Sequence, residues 1–107
     1  MNYQSPVFTL LSGSFKNSAS VFPNPFNSET HQATIIYNAT PPAKVSLIIF
    51  TLTGEKVKRL ENPEGVNSFQ WDGKNSEGEK VLSGVYLGLL KNHQSGEEVR
   101  LRIGVVR

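Results

Sequence analysis

The sequence lacks cysteine and any marked excess of one charge over its 107 residues. Without cysteine there are no disulfides, zinc–thiolate sites or thiol nucleophiles, although export is still allowed because an adequate core needs no bridges. The 11 Lys and Arg residues are scattered among 9 Asp and Glu residues, which leaves a formal net charge of +2. Nucleic-acid binders concentrate their cations on one face, so we expect no nucleic-acid partner.

Long apolar runs are missing as well. No run approaches the roughly 20 residues that span a bilayer, so we expect no membrane span. The apolar patch at residues 7–11 follows no basic segment, which does not fit a signal peptide. If the parent protein is exported, its signal peptide lies upstream.

Turn residues and short alternating segments are abundant. The chain has nine glycines and six prolines and no convincing helical period. This pattern predicts an all-β fold, an immunoglobulin-like antiparallel β-sandwich of about seven strands. The clearest predicted strands are Ala33–Tyr37, Lys44–Leu52, Glu55–Leu60, Asn67–Trp71, Val85–Lys91 and Val99–Val106.

In three segments, the residue pattern predicts where the segment lies in the sheets. Prolines at alternate positions in Val21–Asn27 favour an edge or a kink. Val85–Lys91 is apolar at nearly every residue, as expected of a strand covered on both faces. Val99–Val106 alternates, with its arginines on one face and its aliphatic residues on the other. We expect residues 1–17 to form a linker or tail, with the option of an extra edge strand, and residues 18–107 to form the sandwich.

Five motifs resemble one bacterial family in order and spacing. They are Phe22–Asn27 (FPNPFN), Thr34–Tyr37 (TIIY), Val45–Phe50 (VSLIIF), Thr53–Val57 (TGEKV) and Trp71–Tyr86 (WDGKNSEGEKVLSGVY). The family is the immunoglobulin-like domain first associated with the flagellar hook-capping protein FlgD, and it is similar to type IX secretion sorting domains. The resemblance extends from about Val21 to Arg107.

The resemblance implies a non-catalytic C-terminal module of a larger secreted or cell-surface bacterial protein. Such a module serves secretion and sorting, surface attachment or domain docking, and its partners are other domains of the parent protein or the secretion and surface machinery. We expect an extracellular or surface location, a monomeric isolated domain and no cofactor. The alternatives are a hook-capping assembly domain and a carbohydrate-binding accessory module, for which the candidate aromatics are Tyr3, Phe8 and Phe69.

The residues that carry the resemblance also have physical roles. Trp71 should bury its ring and needs a partner for its indole N–H. Asp72 is suited to accept backbone N–H bonds in an Asx turn, and Tyr86 to anchor its hydroxyl on the backbone. The motif residues are Pro23, Asn24, Pro25, Phe26, Trp71, Asp72, Gly73, Gly78, Gly84 and Tyr86, with the glycines placed where loops must turn.

A calcium site is the sharpest chemical alternative. Asp72, Asn75 and Glu77 place three oxygen ligands in a glycine-rich loop. The calcium loop of the EF-hand also needs ligands at its positions 3, 5 and 12, which here are Lys74, Ser76 and Ser83. A turn stabilised by Asp72 is favoured, and no metal site is predicted.

No catalytic site is predicted. The chain has one aspartate, Asp72, and two histidines, His31 and His93, both in polar loop contexts. Ser–His–Asp chemistry needs a base that a third group positions, and nothing in the sequence indicates that such groups converge.

Two surface features complete the predictions. Alternation leaves Ile36 and Ile48 on outer faces, where either is a candidate partner contact or a position covered by the N-terminal tail. Basic residues on the predicted strands Glu55–Leu60 and Val99–Val106, with Arg107, could form one stripe if those strands lie side by side. Lysine on an edge strand, however, more often serves to prevent aggregation. The stripe residues are Lys56, Lys58, Arg59, Arg100, Arg102 and Arg107.

Overall fold

The computed structural model describes residues 15–39, 43–62 and 66–107. One helical turn, α1 (Phe15–Ser18), precedes eight strands in this part of the chain. The strands are β1 (Ser20–Phe22), β2 (Phe26–Asn27), β3 (Ala33–Ile36), β4 (Val45–Phe50), β5 (Lys56–Asn62), β6 (Ser68–Trp71), β7 (Gly84–Asn92) and β8 (Glu98–Val106). No helix among these residues is long and apolar enough to cross a membrane.

The strands form two sheets. The three-stranded sheet has the order β1-β3-β6, and the five-stranded sheet has the order β2-β8-β7-β4-β5. All pairs are antiparallel except the short pair of β2 with β8, which is parallel. The prediction of an all-β, immunoglobulin-like sandwich is confirmed.

The core lies between the sheets and is built by alternation. In β4, Val45, Leu47 and Ile49 are fully buried. In β8, Ile103 and Val105 are buried while Arg100 and Arg102 are exposed, as the sequence predicts. The six predicted strands lie within two residues of those observed, because alternation and turn residues are both local signals.

The proline-rich segment passes from one sheet to the other. β1 is an edge strand of the three-stranded sheet, and β2 is an edge strand of the five-stranded sheet. The peptide bonds before Pro23 and Pro25 are both cis. The predicted edge or kink at Val21–Asn27 is therefore confirmed, and it is the crossing between the two layers.

The interpretation of Val85–Lys91 as a strand covered on both faces is wrong. β7 lies between β8 and β4, and one of its faces is buried in the core. On its other face Val85 is 46% exposed, and Leu87 and Leu89 are half-buried. A central position explains the apolar composition only in part, since no second layer among the described residues covers that face.

The N-terminal prediction falls partly on residues outside the described ranges, since these begin at Phe15. Phe15 itself is buried, with its ring centroid 5.9 Å from that of Tyr37. The Ser18 hydroxyl accepts a hydrogen bond from the Asn38 N–H at 2.8 Å. The division of the chain at residue 17 stays a prediction.

Candidate functional site

One end of the sandwich is closed by three aromatic rings. The Trp71 centroid lies 5.8 Å from those of Phe26 and Tyr86, and both contacts are edge-on. Trp71 and Phe26 are each 1% exposed. Edge-on rings add to the free energy of burial, and this cluster joins β2, β6 and β7. We call residues 23–28, 71–74 and Tyr86 the closed end.

Polar atoms at the closed end bond to the backbone of the loop after β6. Trp71 Nε1 donates to the Lys74 carbonyl at 2.9 Å, and Asp72 Oδ1 accepts from the Lys74 N–H at 3.0 Å. Tyr86 Oη donates to the Leu82 carbonyl at 2.7 Å, and burial raises the pKa of this phenol. The phenol therefore stays protonated and keeps donating at neutral pH.

Gly73 packs tightly against the proline-rich segment. Its φ is +79°, and a Cβ atom there would lie 2.8 Å from the Ser28 Cβ. A side chain at this position would meet both backbone strain and a clash. Gly78 and Gly84 also have positive φ values, and Gly84 is the first residue of β7.

The Asn24 side chain forms hydrogen bonds with the backbone of β8, as a neighbouring strand would do. Its amide nitrogen donates to the Arg102 carbonyl at 2.8 Å, and its Oδ1 accepts from the Gly104 N–H at 2.8 Å. Pro25 then lies directly on Gly104, where a Cβ atom would be 2.8 Å from the Pro25 Cβ. Gly104 was missed by the sequence reasoning, although a glycine inside a strand is itself a signal of close approach.

Two of the three residues considered as calcium ligands accept hydrogen bonds from backbone N–H groups instead. Asn75 Oδ1 accepts hydrogen bonds from the N–H groups of Glu77 and Glu79, both at 3.0 Å. Asp72 Oδ1 is held by the Lys74 N–H, and Glu77 is exposed. Within residues 15–39, 43–62 and 66–107, no three Asp, Glu or His side chains are grouped to hold a metal ion. The loop is an Asx-type turn.

An open polar concavity of about 350 Å³ lies beside the closed end. Lys80 Nζ lies 3.0 Å from Glu29 and donates to the Ser28 carbonyl at 3.2 Å. His31 lines this concavity and bonds to Thr30. Both partners of the Lys80 ammonium lie in the β2–β3 turn. These two contacts therefore hold that turn against the closed end.

A second polar cluster, the Ser46 cluster, joins β4, β5 and the loop after β7. Ser46 Oγ lies 2.7 Å from Glu61 Oε1, 2.6 Å from His93 Nε2 and 3.2 Å from Arg59 Nη2. Arg59 also pairs with Glu61 through its Nε. Nothing in the sequence indicated this meeting of serine, histidine and carboxylate, because it depends on the strand register that places Glu61 beside Ser46 and on the loop after β7 that returns His93 to them.

The Ser46 cluster does not have the geometry of a nucleophile and base. A serine hydroxyl has one proton, and the carboxylate of Glu61 can only accept it. His93 Nε2 must then donate to Ser46, whereas a general base would accept the serine proton. Ser46 is also 0% exposed, so a substrate carbonyl cannot reach its oxygen.

Electrostatics in the Ser46 cluster favour the ionised carboxylate. The hydrogen bond from Ser46, and then that from Arg59, lowers the pKa of Glu61 below its ordinary value. The Glu61 side chain is 53% exposed, so solvent screens much of this effect. The cluster thus ties the loop after β7 to the sheet.

The basic stripe that would need β5 beside β8 does not form, and β5 is an edge strand of the five-stranded sheet, as the favoured interpretation of its lysines requires. β5 carries Lys56 and Arg59 and β8 carries Arg100 and Arg102, but β7 and β4 lie between them. The cations therefore flank the outer face of the five-stranded sheet in two separate rows. Ile48 is half-buried on that face, while Ile36 is 39% exposed on the other sheet.

Of the three aromatic candidates for carbohydrate binding, the one that the structure describes is buried. Phe69 is 4% exposed and packs against Tyr37 at 5.7 Å, so its interpretation as an exposed aromatic is wrong. Tyr3 and Phe8 lie outside the described residues. Phe22, which the sequence reasoning did not consider, is 49% exposed, and a single ring does not make a flat sugar platform.

Comparison with solved structures finds two proteins of Porphyromonas gingivalis. PorZ, described as an essential bacterial surface component of the type-IX secretion system, aligns with a TM-score of 0.70 at 26% identity over 92% of this chain. Dimeric latent PorU aligns with a TM-score of 0.66 at 24% identity over 82% of this chain, which supports the fold alone. The chain spans only 13% of PorZ and 9% of PorU.

Comparison with protein families gives a direct assignment. No curated protein matches the chain. A model described as the FlgD Ig-like domain matches residues 24–89, more than half of the chain. This range includes Asn24, all three rings of the closed end and Ser46. The chain therefore belongs to the FlgD Ig-like domain family.

Proposed function

We propose that this chain is a non-catalytic Ig-like module at the C-terminal end of a larger exported bacterial protein. It serves secretion and sorting, surface attachment or domain docking, and the parent protein is delivered to the cell surface or beyond. The likeness to PorZ carries this proposal, because nearly the whole chain aligns with a small part of a much larger surface protein.

The geometry of the polar clusters supports a structural module over an enzyme. The hydroxyl that meets a histidine and a carboxylate is inaccessible and donates its hydrogen bond to Glu61. At the closed end, the side chains of Asn24, Trp71 and Tyr86 bond to backbone atoms. These groups fix a shape and present no reacting atom.

Delivery of a reporter tests the proposal. A signal peptide and a passive reporter are placed before the chain and expressed in Porphyromonas gingivalis, and the reporter is measured at the surface and in the periplasm. We expect surface delivery with the intact chain and retention with the reporter alone. Trp71→Ala should reduce delivery, whereas Leu82→Ser, at a residue 74% exposed, is the matched control. Equal retention with and without the intact chain would contradict a sorting role.

A flagellar assembly domain is the second candidate, because the family match covers residues 24–89. In that role the chain would bind polymerised hook protein. Co-sedimentation of the purified chain with flagellar hooks tests this alternative, and a chain that stays in the supernatant would exclude it.

A further inference from the structure

The outer face of the five-stranded sheet carries an apolar strip at its centre. Strand register places Ile48 opposite Leu89 and Phe50 opposite Leu87. All four side chains are half-buried, although they point away from the core. We call these four residues the outer strip.

Cations flank the outer strip on both sides. Leu89 is opposite Arg100 and Leu87 is opposite Arg102, while Arg59 is opposite Ile48. The rows on β8 and β5 are three strand spacings apart, roughly 14 Å. Neither Arg100 nor Arg102 forms an ion pair or a side-chain hydrogen bond with any residue that the structure describes.

The outer strip is concave where it meets Arg100. A cavity of about 310 Å³ is lined by Phe50, Gly54, Leu87, Gly88, Leu89 and Arg100. Such a volume accepts one or two large apolar side chains. Half-buried aliphatic and aromatic groups beside arginine are the composition of a protein-binding surface.

We propose that the outer strip binds a protein partner that inserts a large apolar side chain into this cavity and places carboxylates against Arg100 and Arg102. The planar guanidinium groups are suited to bidentate contact with carboxylates. This inference names the partner chemistry for the docking role proposed above, and it therefore rests on that function.

The charge pattern favours a protein over an anionic lipid surface. Glu61 and Glu98 lie at one end of the same face, since Glu61 is opposite Ser46 and Glu98 is opposite Lys91. Glu61 is paired with Arg59 and Glu98 is exposed, so the face carries both signs of charge, and a folded partner can match such a mixed pattern better than a uniformly anionic bilayer. A concave cavity also fits a side chain better than a flat membrane.

The N-terminal segment of the chain does not supply the same chemistry. Residues 1–14 contain Val7, Phe8 and Leu10 but no Asp or Glu. This segment could offer an apolar side chain to the cavity and no carboxylate to the arginines. Charge complementarity therefore points to a separate partner.

Peptide titration followed by backbone amide NMR tests the proposal on the intact chain. The probe is the blocked hexapeptide Glu-Glu-Phe-Leu-Glu-Glu, with the Lys-Lys-Phe-Leu-Lys-Lys and Glu-Glu-Ser-Ser-Glu-Glu peptides as controls. We expect saturable shifts in β4, β7 and β8 with the first peptide alone. No saturation at millimolar peptide, shifts confined to other surfaces, or equal binding of a control peptide would overturn the proposal.

Variants locate the contact. Arg100→Glu/Arg102→Glu and Leu89→Ser should each weaken binding at least tenfold, about 1.4 kcal/mol, while Lys74→Glu at the closed end leaves binding unchanged. Thermal unfolding checks that each variant is folded. Removing residues 1–14 should not change the affinity, and a gain would reassign the cavity to that segment.

Vesicle co-sedimentation and the reporter-delivery assay distinguish lipid binding and failure of the proposed function from failure of this partner chemistry. Vesicles of phosphatidylcholine with one quarter phosphatidylglycerol should not co-sediment the chain, and binding that needs Arg100 and Arg102 would assign the face to lipid instead. Since the titration uses purified chain, its failure is distinct from failure of reporter delivery. Delivery without peptide binding would reject this partner chemistry while leaving the proposed function intact.

Discussion

The closed end and the outer strip use similar residue types for opposite purposes. At the closed end, Trp71 and Phe26 are almost completely buried, and the surrounding polar side chains bond to backbone groups. At the outer strip, four apolar side chains are half-buried and the flanking Arg100 and Arg102 lack partners among the described residues. Groups that are satisfied within the fold stabilise it, whereas unsatisfied groups remain available for binding.

The largest expected loss of stability comes from removing Trp71, the central ring of the closed end. Trp71→Ala should lower the free energy of unfolding by about 3–5 kcal/mol, because it removes packing against Phe26 and Tyr86 and leaves a cavity. Phe50→Ala, the matched change on the outer strip, should cost about 1 kcal/mol. Urea denaturation measures both, and equal losses would contradict the contrast between the two regions.

Gly104→Ala tests how the closed end is attached to β8. The new Cβ would lie 2.8 Å from the Pro25 Cβ and 3.3 Å from its Cα. Because backbone must move, we expect a loss of about 1–3 kcal/mol. At Gly88 the nearest atoms are the side-chain ends of Ile103 and Leu47, which can shift. Gly88→Ala should therefore cause the smaller loss of stability in the same denaturation assay. A larger loss for Gly88→Ala than for Gly104→Ala would contradict the close contact between Pro25 and Gly104.

Ser46→Ala should change stability in a pH-dependent way. Since the pKa of Glu61 is lowered in the folded state, its contribution is present above the unfolded value, about 4.3, and is lost as pH falls through the folded value. Removing the Ser46 hydroxyl should raise the pKa of Glu61. We expect a total loss of about 1 kcal/mol near neutral pH, with a smaller loss once the pH has fallen through the folded-state pKa of Glu61, below which this group is protonated in both states.

Two measurements check the Ser46 prediction. Carboxyl NMR titration should give a higher Glu61 pKa in the variant than in the parent chain. Denaturation at several pH values should show the difference in stability shrinking as the pH falls. A difference that is constant with pH would mean that Ser46 acts by packing alone.

The smallest expected change in stability comes from a substitution beside the outer strip. Arg102→Gln removes a charge from the rim of the outer strip, and its side chain contacts no described partner. We expect the free energy of unfolding to stay within about 0.5 kcal/mol of the parent value, by the same urea assay. A loss above about 1 kcal/mol would show that this arginine stabilises the fold.

Local signals account for the strands that could be predicted from the sequence. Alternation in Val99–Val106 assigned the buried and exposed faces of β8, and the proline-rich segment was predicted as an edge or kink. Both depend on residues that are neighbours in the chain. The motif residues of the closed end were identified through the family resemblance, and their mutual contacts were not predicted.

Features that depend on the order of the strands could not be predicted from the sequence. The basic stripe required β5 beside β8, but two strands separate them. Phe69 was taken as exposed, yet the pairing of β6 with β3 puts its side chain in the core. The meeting of Ser46, Glu61 and His93 depends on the β4–β5 register and on a loop 47 residues away from Ser46.

The sequence by itself determined the class of fold, the approximate bounds of six strands and the faces of β3, β4 and β8, because the side-chain period of a strand is a property of consecutive residues. Tertiary structure decided which cations flank the outer strip, which hydroxyl meets the histidine and why Gly104 must lack a side chain. Those outcomes depend on which strands are neighbours and in what register, and long-range pairing of that kind is not encoded in any single segment.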